Sequence, residues 1–256
     1  MKTRFLAVAA ALALTAGLPA QQPDKPDKDA EKLPEYSKLD PKNSTTFLNK
    51  EQTILAELAG EGKDKKVVRV GLACEVCLRE GPLEVFLCKK GTKEHEAVVR
   101  VDADAQFIHA ALAAAGAKAG TPTEFVDAKG DPKWKAATGT KINVLVHYTK
   151  GGKTFTHPGQ EWVRDREKTK KEKKEVTIAH PWVFAGSKEL VDPCDATRKF
   201  YAANSGDIIS ISNLPYSMLE MPVEISKDDA FLTYEARTEK IPALFSKVWV
   251  ILEPAK

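Results

Sequence analysis

The chain has 256 residues, with 39 Lys+Arg against 36 Asp+Glu, 43% hydrophobic and 7% aromatic residues, and a formal charge of +3. This apolar content excludes disorder throughout, and the scattered Gly and Pro exclude a collagenous or coiled-coil chain. The charge gives no electrostatic footprint for nucleic acid. The only long apolar run lies at the extreme N-terminus, so no polytopic membrane protein is encoded.

Residues 1–20 read as a secretory signal peptide. Lys2 and Arg4 precede an apolar stretch from Phe5 to Ala16, and Gly17-Leu18-Pro19-Ala20 supplies a turn and a small residue for cleavage. At 12 residues the stretch is too short to cross about 30 Å of hydrocarbon as a helix. The mature protein is therefore expected to be secreted or periplasmic, with no transmembrane span. Losing Lys2 and Arg4 takes the formal charge from +3 to +1, which leaves no strong pull toward an acidic or basic partner. Residues 21–44 are rich in Pro, Lys, Asp and Glu and read as a disordered spacer.

From about residue 45 to 254 the pattern predicts a single β-rich domain. Thr53–Leu58 is ambiguous between strand and helix; Lys66–Cys77, Leu83–Lys89 and Ala97–Val101 are strands, with a turn at Glu80-Gly81-Pro82. One clear helix is expected at about 104–116. Asp104 is its cap, Phe107, Ile108, Ala111, Leu112 and Ala115 form its apolar stripe, and Gly116 stops it. Ile142–Tyr148 and Lys153–His157 flank Gly151-Gly152, a hairpin signal that sets Tyr148 opposite Phe155. The insert 164–175 carries seven basic and four acidic residues, a mixture expected of a solvated loop or an exposed helix. Short strands at 181–185, 207–212, 231–236 and 248–252 complete an α+β fold of antiparallel, sandwich-like sheets. Trp162, Trp182 and Trp249 are expected in the core.

Several segments carry a family resemblance. Val76-Cys77-Leu78-Arg79-Glu80-Gly81-Pro82-Leu83-Glu84 is followed by Phe86, Cys88 and the box Lys93-Glu94-His95-Glu96. Further matches lie at His109, Leu112, Gly120-Thr121-Pro122, Glu161-Trp162-Val163, Trp182–Ser187, Tyr201, Gly206-Asp207-Ile208 and Asn213-Leu214-Pro215. The chain resembles the YdjY-domain family of bacterial proteins. The resemblance implies an exported single-domain protein, or a relative of members joined to a ferredoxin-like module, and names no reaction. Cys74 and Cys194 depart from the family pattern, and no ferredoxin-type cysteine run is present.

Four cysteines in an exported chain make disulfides the default. The spacing Cys74-x-x-Cys77 invites a metal or redox reading, but strand residues three apart point to opposite faces. A hairpin about Gly81 would place Cys74 opposite Cys88. The resemblance implies instead that Cys77 and Cys88 stay together, as a bridge or as buried thiols, and that the extra pair Cys74 and Cys194 bridges. The second arrangement is preferred, because a one-residue register slip reverses every face.

The same hairpin would gather Arg79, Glu84, Lys93, His95 and Glu96 into a polar groove, the candidate ligand site. His95 could act as acid or base beside a carboxylate, and Arg79 with Lys93 could clamp an anion. The competing expectation is an ion-pair network that only fixes the hairpin. His109 is expected as a core histidine, and a metal held by His95, His109 and Glu96 is a weaker possibility. No catalytic residue, cofactor or metal is assigned. The expected function is an exported, non-catalytic binding or scaffold module of the cell envelope, with a small anionic ligand or an envelope protein as partner. The alternative is a redox- or metal-associated accessory protein using Cys77 and Cys88 or His95, with a metal ion as its cofactor.

Overall fold

The computed structural model describes residues 31–128, 131–192, 194–225 and 232–255. The segment read as a signal peptide and residues 21–30 of the spacer lie outside the described residues. In chain order the first strands are β1 (Ser44–Phe47), β2 (Ile54–Ala59), β3 (Lys66–Val76), β4 (Val85–Lys89) and β5 (Ala97–Val101). Helix α1 (Ala105–Ala114) follows, then β6 (Glu124–Ala128), β7 (Asp131–Lys135), β8 (Lys141–Lys150), β9 (Lys153–Pro158) and β10 (Val163–Asp165). After α2 (Arg166–Glu172) come β11 (Trp182–Phe184), β12 (Glu189–Asp192) and β13 (Asp195–Tyr201). The last strands are β14 (Ile209–Ser210), β15 (Leu219–Glu220), β16 (Tyr234–Ala236) and β17 (Lys247–Pro254).

Eight of these strands form a ring. β3, β17, β8, β11, β15, β14, β4 and β5 are hydrogen-bonded in that order, and β5 pairs back onto β3. The sandwich-like arrangement expected from the strand pattern is thus corrected to a closed barrel, with β1, β2 and β9 as extensions. Closure is built into β3, whose 11 residues outrun any one neighbour. On one edge its Lys66–Leu72 portion pairs with β2, while Cys74–Val76 pairs with β5. The other edge holds β17. Alternating apolar residues serve a sandwich and a barrel equally well, since each strand has one inner face in both. An eight-stranded ring leaves an interior that side chains can fill. Leu72, Val99, Val144, Val146, Val250 and Trp182 are among those that fill it.

The outer face of the β3–β17–β8 wall is covered as well. Trp249 and Ile251 point away from the barrel core and pack with Leu55, Leu33 and Tyr36. Trp249 donates its indole N–H to the Pro34 carbonyl (2.8 Å), and Tyr36 meets the Trp249 ring edge-on with centroids 5.3 Å apart. Gly71 makes room, because a Cβ there would stand 2.5 Å from the Tyr36 ring. The part of the expected spacer from Leu33 to Asn43 is therefore packed, with two apolar anchors in an otherwise polar stretch. Leu39 N–H and Asn43 Nδ2 both bond the buried Glu57 carboxylate.

Helix α1 ends as expected at Gly116, where φ is +86°. Its Ile108, Ala111 and Leu112 enter the barrel core, but Phe107 faces outward and is 55% exposed. Asp104 stands at the cap position without capping; its carboxylate pairs with Lys89, and Asn204 Oδ1 accepts the Ala105 N–H at 2.8 Å instead. Beside the one clear helix, the charged insert takes the second of its two expected forms, an exposed helix, α2, which buries no residue. The β8–β9 hairpin turns at Gly151-Gly152, both at positive φ, and stacks Tyr148 on Phe155. Trp162, Trp182 and Trp249 are buried.

Candidate functional site

The turn at Gly81 does not fold β3 and β4 together. Gly81 accepts the Ala236 N–H, Leu83 donates to Tyr234, and Pro82 bridges Glu235, so β16 turns the chain away from β3. β5 then takes the place between them, antiparallel to β3 and parallel to β4. Parallel neighbours ordinarily need a crossover of about a dozen residues or more. Here residues 90–96 alone make the return, and the Lys93–Glu96 box forms the second part of that crossover.

Lys93 pins it. Its ammonium lies 3.0 Å from Glu84, 3.3 Å from Glu96 and 3.3 Å from Asp207. Glu84 and Asp207 are buried, and the Lys93 side chain is 25% exposed. Burial pulls the ammonium toward neutrality, but the Asp207, Glu84 and Glu96 charges outweigh it and hold its pKa above the usual lysine value. Of the five candidate residues, the structure brings together Glu84, Lys93 and Glu96. The proposed groove is corrected at the other two. Arg79 belongs to the β16 corner, where its guanidinium donates to the Thr238 carbonyl and Thr238 Oγ1 donates to the Arg79 carbonyl. The His95 side chain is 78% exposed, with Nε2 3.8 Å from Glu96.

Asp207 is the member that sequence reasoning left out of the cluster. Its signal was the Gly206-Asp207-Ile208 segment. Gly206 has φ +125°, and a Cβ there would meet Thr92 Oγ1 at 2.7 Å and Lys93 Cγ at 2.9 Å. The glycine lets the turn before β14 press against the crossover and deliver Asp207 to Lys93. Three carboxylates around one ammonium leave the cluster negative. An anion would be repelled here, and the ammonium fills the position that a cation would take. Among the described residues, no group of three or more His, Cys, Asp or Glu side chains could hold a metal ion. His109 is the partly buried histidine expected beside the core: Nδ1 lies 2.8 Å from the Tyr201 hydroxyl, its ring sits edge-on to Phe184, and burial lowers its pKa.

A second network lies close by. Arg100 pairs with Glu75 and with Glu94, and Glu75 also holds Lys247. The Glu94 carboxyl accepts the Gly91 N–H at 2.7 Å, a bond that, with Arg100, holds it below the ordinary range. Above Arg100 sits the Phe245 ring, with its centroid 6.0 Å away. A cleft of about 260 Å³ opens here between Thr53, Glu75, Arg100, Asp102 and Lys247. A wider one of about 640 Å³ lies between Arg69, Leu145, Gln160 and Ile178. Neither includes Glu84, Lys93 or Glu96.

The cysteines are all free thiols, which corrects the disulfide expectation in this structure. Cys74 is buried in the barrel core opposite Val101, and Cys194 is exposed beside β13, so these two are not partners. Cys74 and Cys88 do not face each other either, because β5 separates their strands. Cys77 and Cys88 do share a pocket, with Val85, Ala97 and Leu214.

Two hairpins stand outside the barrel. β6–β7 and β12–β13 are separate two-stranded sheets, tied at their bases by Lys188 to Glu124 at 3.7 Å. They expose Phe125 and Val126 on one, Val191 and Phe200 on the other.

A family model, the YdjY domain, matches residues 60–253, most of the chain. The chain belongs to the YdjY-domain family. No curated protein and no solved structure matches it. The YdjY match takes in the eight-stranded ring up to residue 253 of β17, the crossover and both hairpins, and it starts after β1 and β2.

Proposed function

We propose that this YdjY-domain protein is an exported, non-catalytic binding module of the cell envelope, and that it holds an extended segment of an envelope protein on the β12–β13 hairpin. The observation that carries the reading is that β12–β13 stands apart from the ring as a two-stranded sheet, with a free edge on each strand and with Val191 and Phe200 exposed on it. On β13, Thr197, Arg198, Lys199 and Phe200 are all exposed. An added strand would gain backbone hydrogen bonds along that edge and an apolar contact at Phe200. A small anionic ligand at Lys93 is not part of the proposal, because carboxylates already outnumber the ammonium.

The test places a photo-crosslinking amino acid at Thr197 of the full chain in the producing cell, with Lys170 on α2, also exposed, as the control. One discrete envelope-protein adduct from position 197, lost when Phe200→Asp is added, is the expected result. Equal labelling from both positions, or labelling from 197 that ignores Phe200→Asp, would overturn the reading.

A further inference from the structure

We propose that the open edge of β1 is the contact between two copies of this chain, paired antiparallel across a two-fold axis at Thr45. The inference is independent of the β12–β13 surface. In the large sheet, β1 and β9 are the two strands with a neighbour on one side only among the described residues. Open edges are ordinarily guarded against a second chain by charge, proline or a bulge. β9 is guarded in this way, by Lys153 at its start and Pro158 at its end. β1 is not. It reads Ser44-Thr45-Thr46-Phe47, pairs with β2 without a bulge, and leaves Thr45, Thr46 and Phe47 exposed. Leu48, which follows, is 48% exposed. The edge is therefore uncharged, regular and partly apolar, and it lies outside the residues matched by the family model.

Backbone geometry limits the register, and charge chooses it. Leu48 donates its N–H to the Ile54 carbonyl of β2 at 2.8 Å. Alternation along the strand then turns the N–H and C=O groups of Thr45 and Phe47 away from β2, toward the open side. A second β1 running antiparallel must set outward groups against outward groups, so the axis falls on a residue, Thr45 or Thr46. An axis at Thr46 would bring Lys42 of one copy beside Lys50 of the other. An axis at Thr45 brings Asp40 beside Lys50 instead, once at each end of the paired strands. Asp40, Lys42 and Lys50 are all exposed, so nothing in their own chain covers them. About the Thr45 axis, each Thr45 exchanges both of its backbone hydrogen bonds with the same residue of the second copy. A parallel pair would lose this, since like charges would meet at every position. A strand of four residues makes a small contact, and the expected dimer is weak, with a dissociation constant in the range of about 1–100 μM.

The experiment follows sedimentation of the protein, purified as the producing cell makes it, from about 1 μM to about 300 μM. A reversible monomer–dimer equilibrium is expected. Thr45→Lys sets two ammonium groups against each other at the axis and should weaken it at least about tenfold. Asp40→Lys should weaken it too, and adding Lys50→Asp should restore it. In a Cys194→Ala chain, Thr45→Cys should oxidise to a linked dimer, because Cα atoms of a hydrogen-bonded antiparallel pair stand about 5.5 Å apart, within disulfide reach. Thr154→Cys, exposed on the guarded edge of β9, should stay monomeric. A monomer at every concentration would overturn the inference. So would a dimer indifferent to Thr45→Lys, a double reversal that restores nothing, or equal linking from positions 45 and 154.

Discussion

Replacing Lys93 by Met tests whether the crossover cluster is a structural pin. The side chain keeps its length and loses its charge, leaving Glu84, Glu96 and Asp207 crowded at a site where all three carboxylates are largely buried. Removing one partner of a buried charge cluster costs about 3–5 kcal/mol. The lower end applies, because a quarter of the Lys93 side chain is exposed and water screens what remains. About 3 kcal/mol corresponds to a melting temperature lower by about 6–12 °C for a domain of this size. The sign with pH follows from the raised pKa. The stabilisation is complete below the ordinary lysine value of 10.5 and is lost as pH rises through the higher folded value. The deficit of Lys93→Met should therefore be flat across neutral pH and fade in strong alkali. Adding Glu84→Gln should recover part of it by relieving the crowding. Guanidinium unfolding of wild type and variants is the assay. A deficit below about 1 kcal/mol would refute the pin and return Lys93 to the role of a ligand-facing residue.

Gly206→Ala should cost about 2–3 kcal/mol, since it combines a strained positive φ with a Cβ inside contact distance of Thr92 and Lys93; an unchanged denaturation midpoint would refute the close approach. His147 is buried between the Thr156 hydroxyl at 2.7 Å and the Glu35 carbonyl at 2.9 Å, and burial lowers its pKa against the backbone contacts to Glu35 and Phe155. A lowered pKa means stability that is present above 6.5 and lost as pH falls. His147→Gln should accordingly flatten the loss of stability between about pH 7 and about pH 5, and an unaltered slope would contradict the assignment.

Local features were legible because their causes are local. Gly151-Gly152 can supply two positive φ values in succession, so the β8–β9 turn and its Tyr148–Phe155 stack follow from a few residues. Helix α1 and its stop at Gly116 follow in the same way. Closure was not legible, because it depends on β3 having two partners along one edge, and alternation cannot count partners. The misplaced hairpin at Gly81 has the same origin. A Gly-Pro turn reports a change of direction, while the strand it turns toward, β16, lies about 150 residues away in sequence. Phe107 looked like core because a helical stripe includes one flank residue too many when the buried face is narrow. Leu33 and Tyr36 were hidden by the charges around them.

The site was half legible for an instructive reason. Glu84, Lys93 and Glu96 were read correctly as a cluster, but through a hairpin that does not exist; the parallel β4–β5 pair brings them together instead. Several of the segments that carry the family resemblance meet at that same seam. Cys77, Glu84, Cys88 and the Lys93–Glu96 box line it, Gly206-Asp207 locks it, and Leu214 covers the thiols. Asn213 reaches the other way, donating to Glu220 at 3.1 Å, and Glu220 in turn accepts the Thr123 N–H at the base of β6. Each of these contacts answers a mechanical problem, a crossover too short for parallel strands or a hairpin that needs a root. If the proposed partner docks on the β12–β13 hairpin, its specificity should map to β12 and β13 rather than to the seam residues. Exchanging residues 189–201 between two family members should move the crosslinked partner with the hairpin and leave the Lys93 deficit unchanged; a partner that stays with the barrel would place recognition on the seam.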